Sequence, residues 1–213
     1  MLNAFRKERG FTLVEIAIAL TVISLILGGI IVGASSVIEN AKTNSLLEQI
    51  KDLAAASRDF KSRYGYYPGD LPNAGTLITT DGGVSAGCSY PAVISSISSA
   101  GNGIVNTSTE SRCALEHLVK ARMIGKVEMS GSNYVINHPL GGGEVSLWFT
   151  SANENAIRVT NLPCEIALRI DSKFDNASST PLASGFVASN NAGITGCTPG
   201  GVNDPVAVLL ISY

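Results

Sequence analysis

The sequence has little charge and few aromatic residues. Asp, Glu, Lys and Arg make up 15% of the 213 residues, against about 25% in typical soluble proteins, and aromatic residues make up 6%. Lysine and arginine total only 15, and the formal net charge is −2. A protein whose main partner is nucleic acid needs a basic surface, so this composition argues against nucleic acid as a main partner.

The sequence gives little support for a common enzyme or metal site. It contains no P-loop or His-Glu-x-x-His pattern and no Cys-x-x-Cys pair. A Gly-x-Ser-x-Gly match at residues 83–87 falls in a Gly- and Ser-rich loop segment rather than at the strand-to-helix turn that a nucleophilic serine of this motif needs. His117 and His138 have no Cys or acidic partner at ligand spacing, so we expect both at the surface rather than on a metal. The sequence therefore predicts no catalytic residue, no cofactor and no metal site, and does not indicate an enzyme.

A long apolar segment follows a short basic start. Residues 1–10 carry three basic side chains, whereas residues 11–38 contain Glu15 as their single charge. The 23 uncharged residues 16–38 would span roughly 35 Å as a helix, enough to cross a hydrocarbon layer of ~30 Å. The basic residues in front of this segment predict a cytoplasmic N-terminus and an extracytoplasmic remainder.

The same helix is predicted to continue beyond the membrane. Residues 39–64 contain neither Gly nor Pro, and their apolar side chains recur at steps of three and four. Charged residues fill the other positions, which is the pattern of an amphipathic helix with one buried face. Because no proline precedes Pro68, residues 11–64 can form a single helix of roughly 80 Å.

A globular domain is predicted over residues 65–213, beginning with a long loop at 68–112 that is rich in Gly, Ser and Pro. Trp148 alternates with its neighbours as in a strand and is expected in the core. The fold class is α+β, with an antiparallel sheet covered by the long helix. The predicted elements are short helices at 111–124 and 162–174 and strands at 127–136, 143–150, 156–160 and 206–213.

All four cysteines lie in the part of the chain that is predicted to leave the cytoplasm, where disulfides persist. Of the three possible pairings we predict Cys88–Cys113 and Cys164–Cys197, because each bond would tie a polar loop to the start of a nearby short helix. Each would contribute ~3–4 kcal/mol in the chain-entropy model. Buried free thiols are the alternative.

The junction between the basic start and the apolar segment reads GFTLVE, residues 10–15. An ordinary secretory signal has ~7–15 apolar residues and then a small-residue cleavage site, whereas here the small residue precedes a much longer apolar run. Cleavage after Gly10 would remove the basic leader, residues 1–10, and keep the membrane helix. This region resembles the class III signal of type IV pilins and type II secretion pseudopilins. The layout of long helix, loop and sheet resembles that family more loosely.

The resemblance implies roles for three residues. Gly10 matches the residue that prepilin peptidase requires before the cut, Phe11 matches the new N-terminus that the same enzyme methylates, and Glu15 matches the acidic residue of the membrane helix. The implied protein is a single-pass protein of the bacterial inner membrane with a periplasmic domain, which later joins a filament. Its implied partners are prepilin peptidase, copies of itself or other pilin-like subunits, the inner-membrane assembly platform and membrane lipid.

The energetic cost of placing a charge in a membrane also indicates a role for Glu15. A carboxylate within a membrane helix costs roughly 2.5–3.5 kcal/mol on insertion scales, so it needs a partner or a function. The α-amine of Phe11 in a neighbouring, staggered subunit can meet it in a bundle of helices, and that pair is favourable only when both charges are present. A glutamate that extends to the membrane surface is the alternative.

Other features leave alternatives open. Many major pilins carry a proline in the second half of this segment, where the present chain has Gly28, Gly29 and Gly33, which provide either a weak point or close helix packing. Asp171 and Asp175 could hold calcium, as in some pseudopilins. We favour the interpretation that they simply belong to a helix surface and the turn after it.

The leading hypothesis is a pilin-like structural subunit of a type IV pilus or a type II secretion pseudopilus. A different class of function remains as the alternative, namely a single-pass, membrane-anchored binding module such as a minor pilin-like adhesion or DNA-uptake component. A secreted enzyme with an unusual signal is a third hypothesis. Leader cleavage distinguishes the third hypothesis from the first, because a secretory signal would lose the whole apolar run.

Overall fold

The computed structural model describes residues 11–89, 101–105, 107–125, 127–149, 155–174, 187–189 and 206–212. The chain divides into two compact units, Met1–Lys42 and Thr43–Tyr213. The predictions made for the leader 1–10, for Asp175 and for Cys197 lie outside the described residues.

A single helix, α1, runs from Leu13 to Tyr64. The predicted long helix is therefore confirmed, and Gly28 and Gly29 lie within it with no side chain nearby. The helix ends at Gly65, which adopts a left-handed φ of +82° and donates its N–H to the carbonyl of Lys61 at 2.8 Å. Glycine is the residue that most easily takes this conformation after a helix, so the end of α1 is encoded locally.

Within the unit Thr43–Tyr213, the second half of α1 buries one face. Leu46, Ile50, Leu53 and Phe60 are each at most 3% exposed. Their spacing of three, four and seven residues places them along one side of the helix. They belong to one hydrophobic cluster with the inner face of the sheet, so the predicted amphipathic helix has the buried face that its sequence requires.

The described strands form one antiparallel sheet, which confirms the α+β class. The strands are β1 (Glu128–Ser130), β2 (Asn133–Asn137), β3 (Glu144–Phe149), β4 (Asn155–Leu162), β5 (Val187–Ser189) and β6 (Val206–Ser212). They are hydrogen-bonded in the order β1-β2-β3-β4-β6-β5. Alternate residues of β3 and β4 form the inner face, and the fully buried ones are Val145, Leu147, Ile157 and Val159.

Three shorter helices complete the described structure: α2 (Ala74–Leu77), α3 (Ser108–Lys120) and α4 (Cys164–Phe174). The segment expected as a long loop, 68–112, contains α2, two single-turn helices at Thr80–Gly82 and Ala86–Cys88, and the start of α3. Helix α3 places Leu115 and Leu118 in the same core as α1.

The predicted single strand at 127–136 is wrong, because it is a hairpin formed by β1 and β2. Ser130 pairs with Asn133, so only Gly131 and Ser132 form the turn. Gly131 has a φ of +62°, which two-residue hairpin turns require and which glycine adopts at no steric cost. Because β1 has only three residues, its side chains show no alternation that would separate it from β2 in the sequence.

The predicted helix at 111–124 is shifted, because α3 begins at Ser108 and ends at Lys120. Thr107 accepts a hydrogen bond from the N–H of Glu110 at 3.1 Å, and the Glu110 carboxylate accepts from the N–H of Thr107 at 3.0 Å. This capping box starts the helix three residues early. The helix stops before Arg122, whose φ of +59° is left-handed.

Candidate functional site

The start of α1 is held by a reciprocal pair of hydrogen bonds between Thr12 and Glu15. The Thr12 hydroxyl accepts from the N–H of Glu15 at 3.3 Å, and the Glu15 carboxylate accepts from the N–H of Thr12 at 3.2 Å. The Thr12 hydroxyl also donates to that carboxylate at 3.3 Å. This is a capping box, which satisfies two backbone donors that a helix N-terminus otherwise leaves unpaired.

The first turns of α1 expose an unusual amount of apolar surface. Leu13 is 90% exposed and Leu25 is 78% exposed, and every described residue from 11 to 30 is classed as exposed. Leu13–Ile30 is long and apolar enough to cross a membrane and has none of its residues buried within the molecule. An apolar surface of this size requires lipid or other helices to cover it.

The predicted site residues can be placed in part. Phe11 lies just before the capping box and is 80% exposed, Glu15 lies in the first turn of α1, and Gly10 lies outside the described residues. The hydrogen bonds of the Glu15 carboxylate within the described chain are with Thr12. Thr12 was missed by sequence reasoning, although the Thr-x-x-Glu spacing before an apolar run is the signature of this cap.

Away from the apolar N-terminal segment, a disulfide joins Cys88 to Cys113, as the sequence predicts. It links the single-turn helix Ala86–Cys88 to the middle of α3, and both cysteines are buried. Cys164 is also disulfide-bonded, while Cys197, its expected partner, lies outside the described residues. The described cysteines are thus oxidised, which suits a domain outside the cytoplasm.

The expectation that both histidines lie at the surface is wrong. His117 is fully buried, stacks against Phe60 with ring centroids 6.0 Å apart, and is hydrogen-bonded through both ring nitrogens. His138 is 3% exposed, and its ring accepts from the N–H of Leu140 at 3.2 Å and donates to the carbonyl of Thr160 at 2.7 Å. Both rings therefore hold backbone segments together through hydrogen bonds.

Two further expectations are also corrected. Trp148 is half-buried rather than in the core, because it lies on the outer face of β3, where Arg158 covers its ring at 4.3 Å. Asp171 is 2% exposed and not on the surface of α4. Within the described part of the chain, no group of three or more His, Cys, Asp or Glu residues is arranged to hold a metal ion.

A buried carboxylate organises the loop that follows α1. Asp70 is fully buried, and its side chain accepts hydrogen bonds from the backbone N–H groups of Gly101, Asn102 and Gly103 at 2.5, 3.1 and 2.8 Å. Burial raises the pKa of Asp70 to about 6, and the negative charge of Glu110 adds to the rise, whereas the three N–H donors oppose it. This arrangement is structural and sits apart from the N-terminal segment in sequence.

The comparison with known protein families identifies the N-terminal segment. Residues 5–31 match the prokaryotic N-terminal methylation motif. No curated protein and no solved structure matches the chain. The matched residues include the capping box and the whole exposed apolar segment Leu13–Ile30. The chain therefore carries the prepilin signal of type IV pilins and type II secretion pseudopilins.

Proposed function

We propose that this chain is a structural subunit of a helical filament, either a type IV pilus or a type II secretion pseudopilus. Prepilin peptidase cuts after Gly10 and methylates the α-amine of Phe11. The mature chain stays in the inner membrane as a single-pass protein until the assembly platform adds it to copies of itself or to other pilin-like subunits. The observation that carries this proposal is the methylation motif at residues 5–31, which contains the first turns of a helix with an exposed apolar surface.

The exposed segment supports a role in a bundle of helices. Lipid covers it before assembly, and the same apolar surface can pack against neighbouring copies afterwards. Because lipid is as apolar as these side chains, hydrophobicity alone does not drive helices together in a membrane. A specific polar contact is needed to set which helices meet and in what register.

Glu15 can supply that contact. Its carboxylate lies in the first turn of α1, four residues from the α-amine that cleavage creates on Phe11. A helix bundle with staggered subunits brings the carboxylate of one copy to the amine of another. Methylation keeps the amine charged, so the pair persists after processing. Either charge alone would be buried without a counter-charge, which costs roughly 3–5 kcal/mol.

The test compares two leucine substitutions in the same helix. Glu15→Leu removes the carboxylate, and Thr21→Leu removes a polar group whose hydroxyl bonds the carbonyl of Ile18 in its own helix. Filaments are sheared from cells and blotted for the subunit. We expect Glu15→Leu to be cleaved and inserted but nearly absent from the sheared fraction, and Thr21→Leu to be recovered normally. Normal recovery of Glu15→Leu would favour a membrane-anchored binding module instead.

A further inference from the structure

The loop formed by residues 101–105, which lies just before α3 in the chain, contains an asparagine followed by a glycine. Asn102 and Gly103 are the only Asn-Gly pair in the sequence, and Asn102 is exposed. Asparagine is one of the chemically labile residues, and in an Asn-Gly pair the glycine nitrogen can attack the side-chain carbonyl carbon of the asparagine. Glycine has no side chain to obstruct this approach. The neighbours of the pair therefore decide whether the reaction is hindered or assisted.

The glycine nitrogen already donates its hydrogen to a carboxylate. The N–H of Gly103 donates to Oδ2 of Asp70 at 2.8 Å, which is within reach for proton transfer to a general base. The other oxygen, Oδ1, accepts from the N–H groups of Gly101 and Asn102 at 2.5 and 3.1 Å, so the carboxylate is held in one orientation. Burial raises the pKa of Asp70 to about 6. At neutral pH it is therefore mostly ionised, yet more basic than an ordinary aspartate.

The carbonyl group that would be attacked accepts a hydrogen bond of its own. The N–H of Ile104 donates to Oδ1 of Asn102 at 2.9 Å. A side-chain carbonyl that is bonded to the N–H two residues later forms an Asx turn, which folds the side chain back along the following peptide bond. The same N–H points at the oxygen on which negative charge develops during attack. Backbone donors have this role in an oxyanion hole.

The loop is also fixed by the first residue of β4. The side chain of Asn155 donates to the carbonyl of Gly103 at 3.2 Å and accepts from the N–H of Val105 at 2.9 Å. On the other side of the pair, the N–H of Gly101 also lies 2.9 Å from the backbone carbonyl of Asp70. The fold thus holds the base, the nitrogen and the carbonyl group together, and positioning of this kind accelerates intramolecular reactions.

We propose that Asn102 is a site of self-modification, which its own loop converts to aspartate and isoaspartate. Asp70 takes the proton from the nitrogen of Gly103 as that nitrogen bonds to the side-chain carbonyl carbon of Asn102. The proton passes to the amide nitrogen of Asn102, the bond from the carbonyl carbon to this nitrogen breaks, and ammonia leaves. Water then opens the resulting succinimide ring at either of its two carbonyl groups, which gives aspartate or isoaspartate at position 102.

The products would weaken the contacts that hold this loop. Both add a carboxylate to a residue whose N–H lies 3.1 Å from the buried carboxylate of Asp70. Isoaspartate also lengthens the main chain by one carbon before Gly103, so the N–H of Gly103 would move relative to Asp70. The domain would therefore undergo a slow change in its own loop, in addition to any role in a filament.

The test compares the folded protein with a peptide of the same sequence. The purified protein in detergent and a synthetic peptide of residues 98–107 are incubated in ¹⁸O-labelled water at neutral pH and the same temperature. Peptide mapping by mass spectrometry then follows the incorporation of one labelled oxygen at position 102. We expect conversion in the folded protein to be at least about tenfold faster than in the peptide, because a positioned general base typically accelerates a reaction about a hundredfold or more. An equal or slower rate in the folded protein would overturn the proposal, since the loop would then protect Asn102.

The products and two variants test the mechanism. Aspartate without any isoaspartate would overturn the ring intermediate, because direct hydrolysis of the side chain yields aspartate alone. In folded Asp70→Asn, which cannot take the proton, conversion should fall to the rate of the peptide or below, and an unchanged rate would overturn the role of Asp70. Asp59→Asn, which changes an exposed carboxylate of α1, should react as the wild type does. If Asp70→Asn does not fold, the comparison of protein with peptide still decides. None of these outcomes depends on leader cleavage or filament assembly.

Discussion

The backbone N–H of Gly69 donates to Nδ1 of His117 across 2.9 Å and thereby fixes the protonation of the ring. Because Nδ1 accepts, Nε2 carries the proton and donates to the carbonyl of Cys88, also at 2.9 Å. The contact requires glycine, since Gly69 has a φ of +93° and a β-carbon there would collide with the carbonyl oxygen of Glu110. One neutral imidazole thus joins the turn after α1 to α3 and to the disulfide-bonded turn.

We expect His117→Phe to destabilise the globular domain by about 2–4 kcal/mol. Phenylalanine keeps the ring against Phe60 but leaves the N–H of Gly69 and the carbonyl of Cys88 buried without partners, and each unpaired group costs about 1–3 kcal/mol. Urea unfolding of the mature protein in detergent, followed by Trp148 fluorescence, measures the difference. An unchanged midpoint would mean that the two hydrogen bonds contribute no net stability.

Because of His117, we also expect the stability of the folded domain to depend on pH. Burial lowers the pKa of His117 below its ordinary value of 6.5, so the folded state disfavours the charged ring. The stability that the neutral ring contributes is present above pH 6.5 and is lost as the pH falls through the lowered pKa. The wild type should therefore lose stability on acidification relative to His117→Phe, and the gap between the two unfolding free energies should narrow below pH 6.5. A gap that is constant from pH 8 to about pH 4 would contradict this.

The contribution of Asp70 to stability should change with pH in the opposite direction. Its pKa is raised from 3.8 to about 6, so its contribution to stability is fully present below pH 3.8 and is lost as the pH rises through about 6. The shift corresponds to about 3 kcal/mol between these limits. Asp70→Asn does not titrate, so the difference in unfolding free energy between wild type and variant should change by that amount over this window. Taking the difference removes the contribution of His117, which both proteins share.

The elements that can be predicted from the sequence are those whose apolar residues recur at a regular spacing or whose composition is distinctive. The helix α1 has a long uncharged run and then a regular apolar face, and both features are visible without any tertiary information. The junction motif at residues 10–15 is equally local. By contrast, the Thr12–Glu15 and Thr107–Glu110 caps were overlooked, although each is written in the sequence as Thr-x-x-Glu.

Other features depend on contacts between distant segments. His117 is buried because three separate segments meet around it, and no neighbour in sequence indicates this. Trp148 lies outside the core because Val145 and Leu147, at alternate positions of the same strand, occupy the buried face of β3. An alternating pattern predicts that a residue lies in a strand but leaves open which face is buried. The contact of Arg158 with the Trp148 ring likewise requires the register of β3 and β4.

The disulfide Cys88–Cys113 closes a loop of 25 residues and should contribute about 3 kcal/mol in the chain-entropy model. We expect the double variant Cys88→Ala, Cys113→Ala to unfold at a correspondingly lower urea concentration. The reduced wild type is the matched comparison, and it should lose at least as much stability.

Peptide mapping without reduction should also find Cys164 joined to Cys197, and peptides joined in any other pairing would contradict that proposal.

Leader removal has its own test, which is independent of filament assembly. We expect Gly10→Val to block processing, because the peptidase requires a small residue before the cut. Intact-mass measurement of membrane-extracted protein should give the full precursor for the variant. For the wild type it should give the chain without residues 1–10 and with one added methyl group. Mature-sized protein from Gly10→Val would contradict the assigned cleavage position.

The capping box gives Glu15 two possible roles in assembly, which two conservative variants can separate. Glu15→Gln removes the charge, but its side-chain carbonyl can still accept from the N–H of Thr12, as glutamine does in other capping boxes. Thr12→Val removes the hydroxyl that caps the N–H of Glu15 and leaves the carboxylate charged. Loss of such a cap costs a helix about 1 kcal/mol.

If the carboxylate pairs with the amine of a neighbouring Phe11, the charge must matter more than the cap. We therefore expect Glu15→Gln to reduce recovery in the sheared fraction as strongly as Glu15→Leu does, because both leave the amine without a counter-charge. Thr12→Val should be recovered at close to the wild-type level, since a helix of 52 residues tolerates the loss of one cap. All three variants should still lose the leader. The reverse result, with Glu15→Gln assembled and Thr12→Val absent, would show that Glu15 serves only to start the helix.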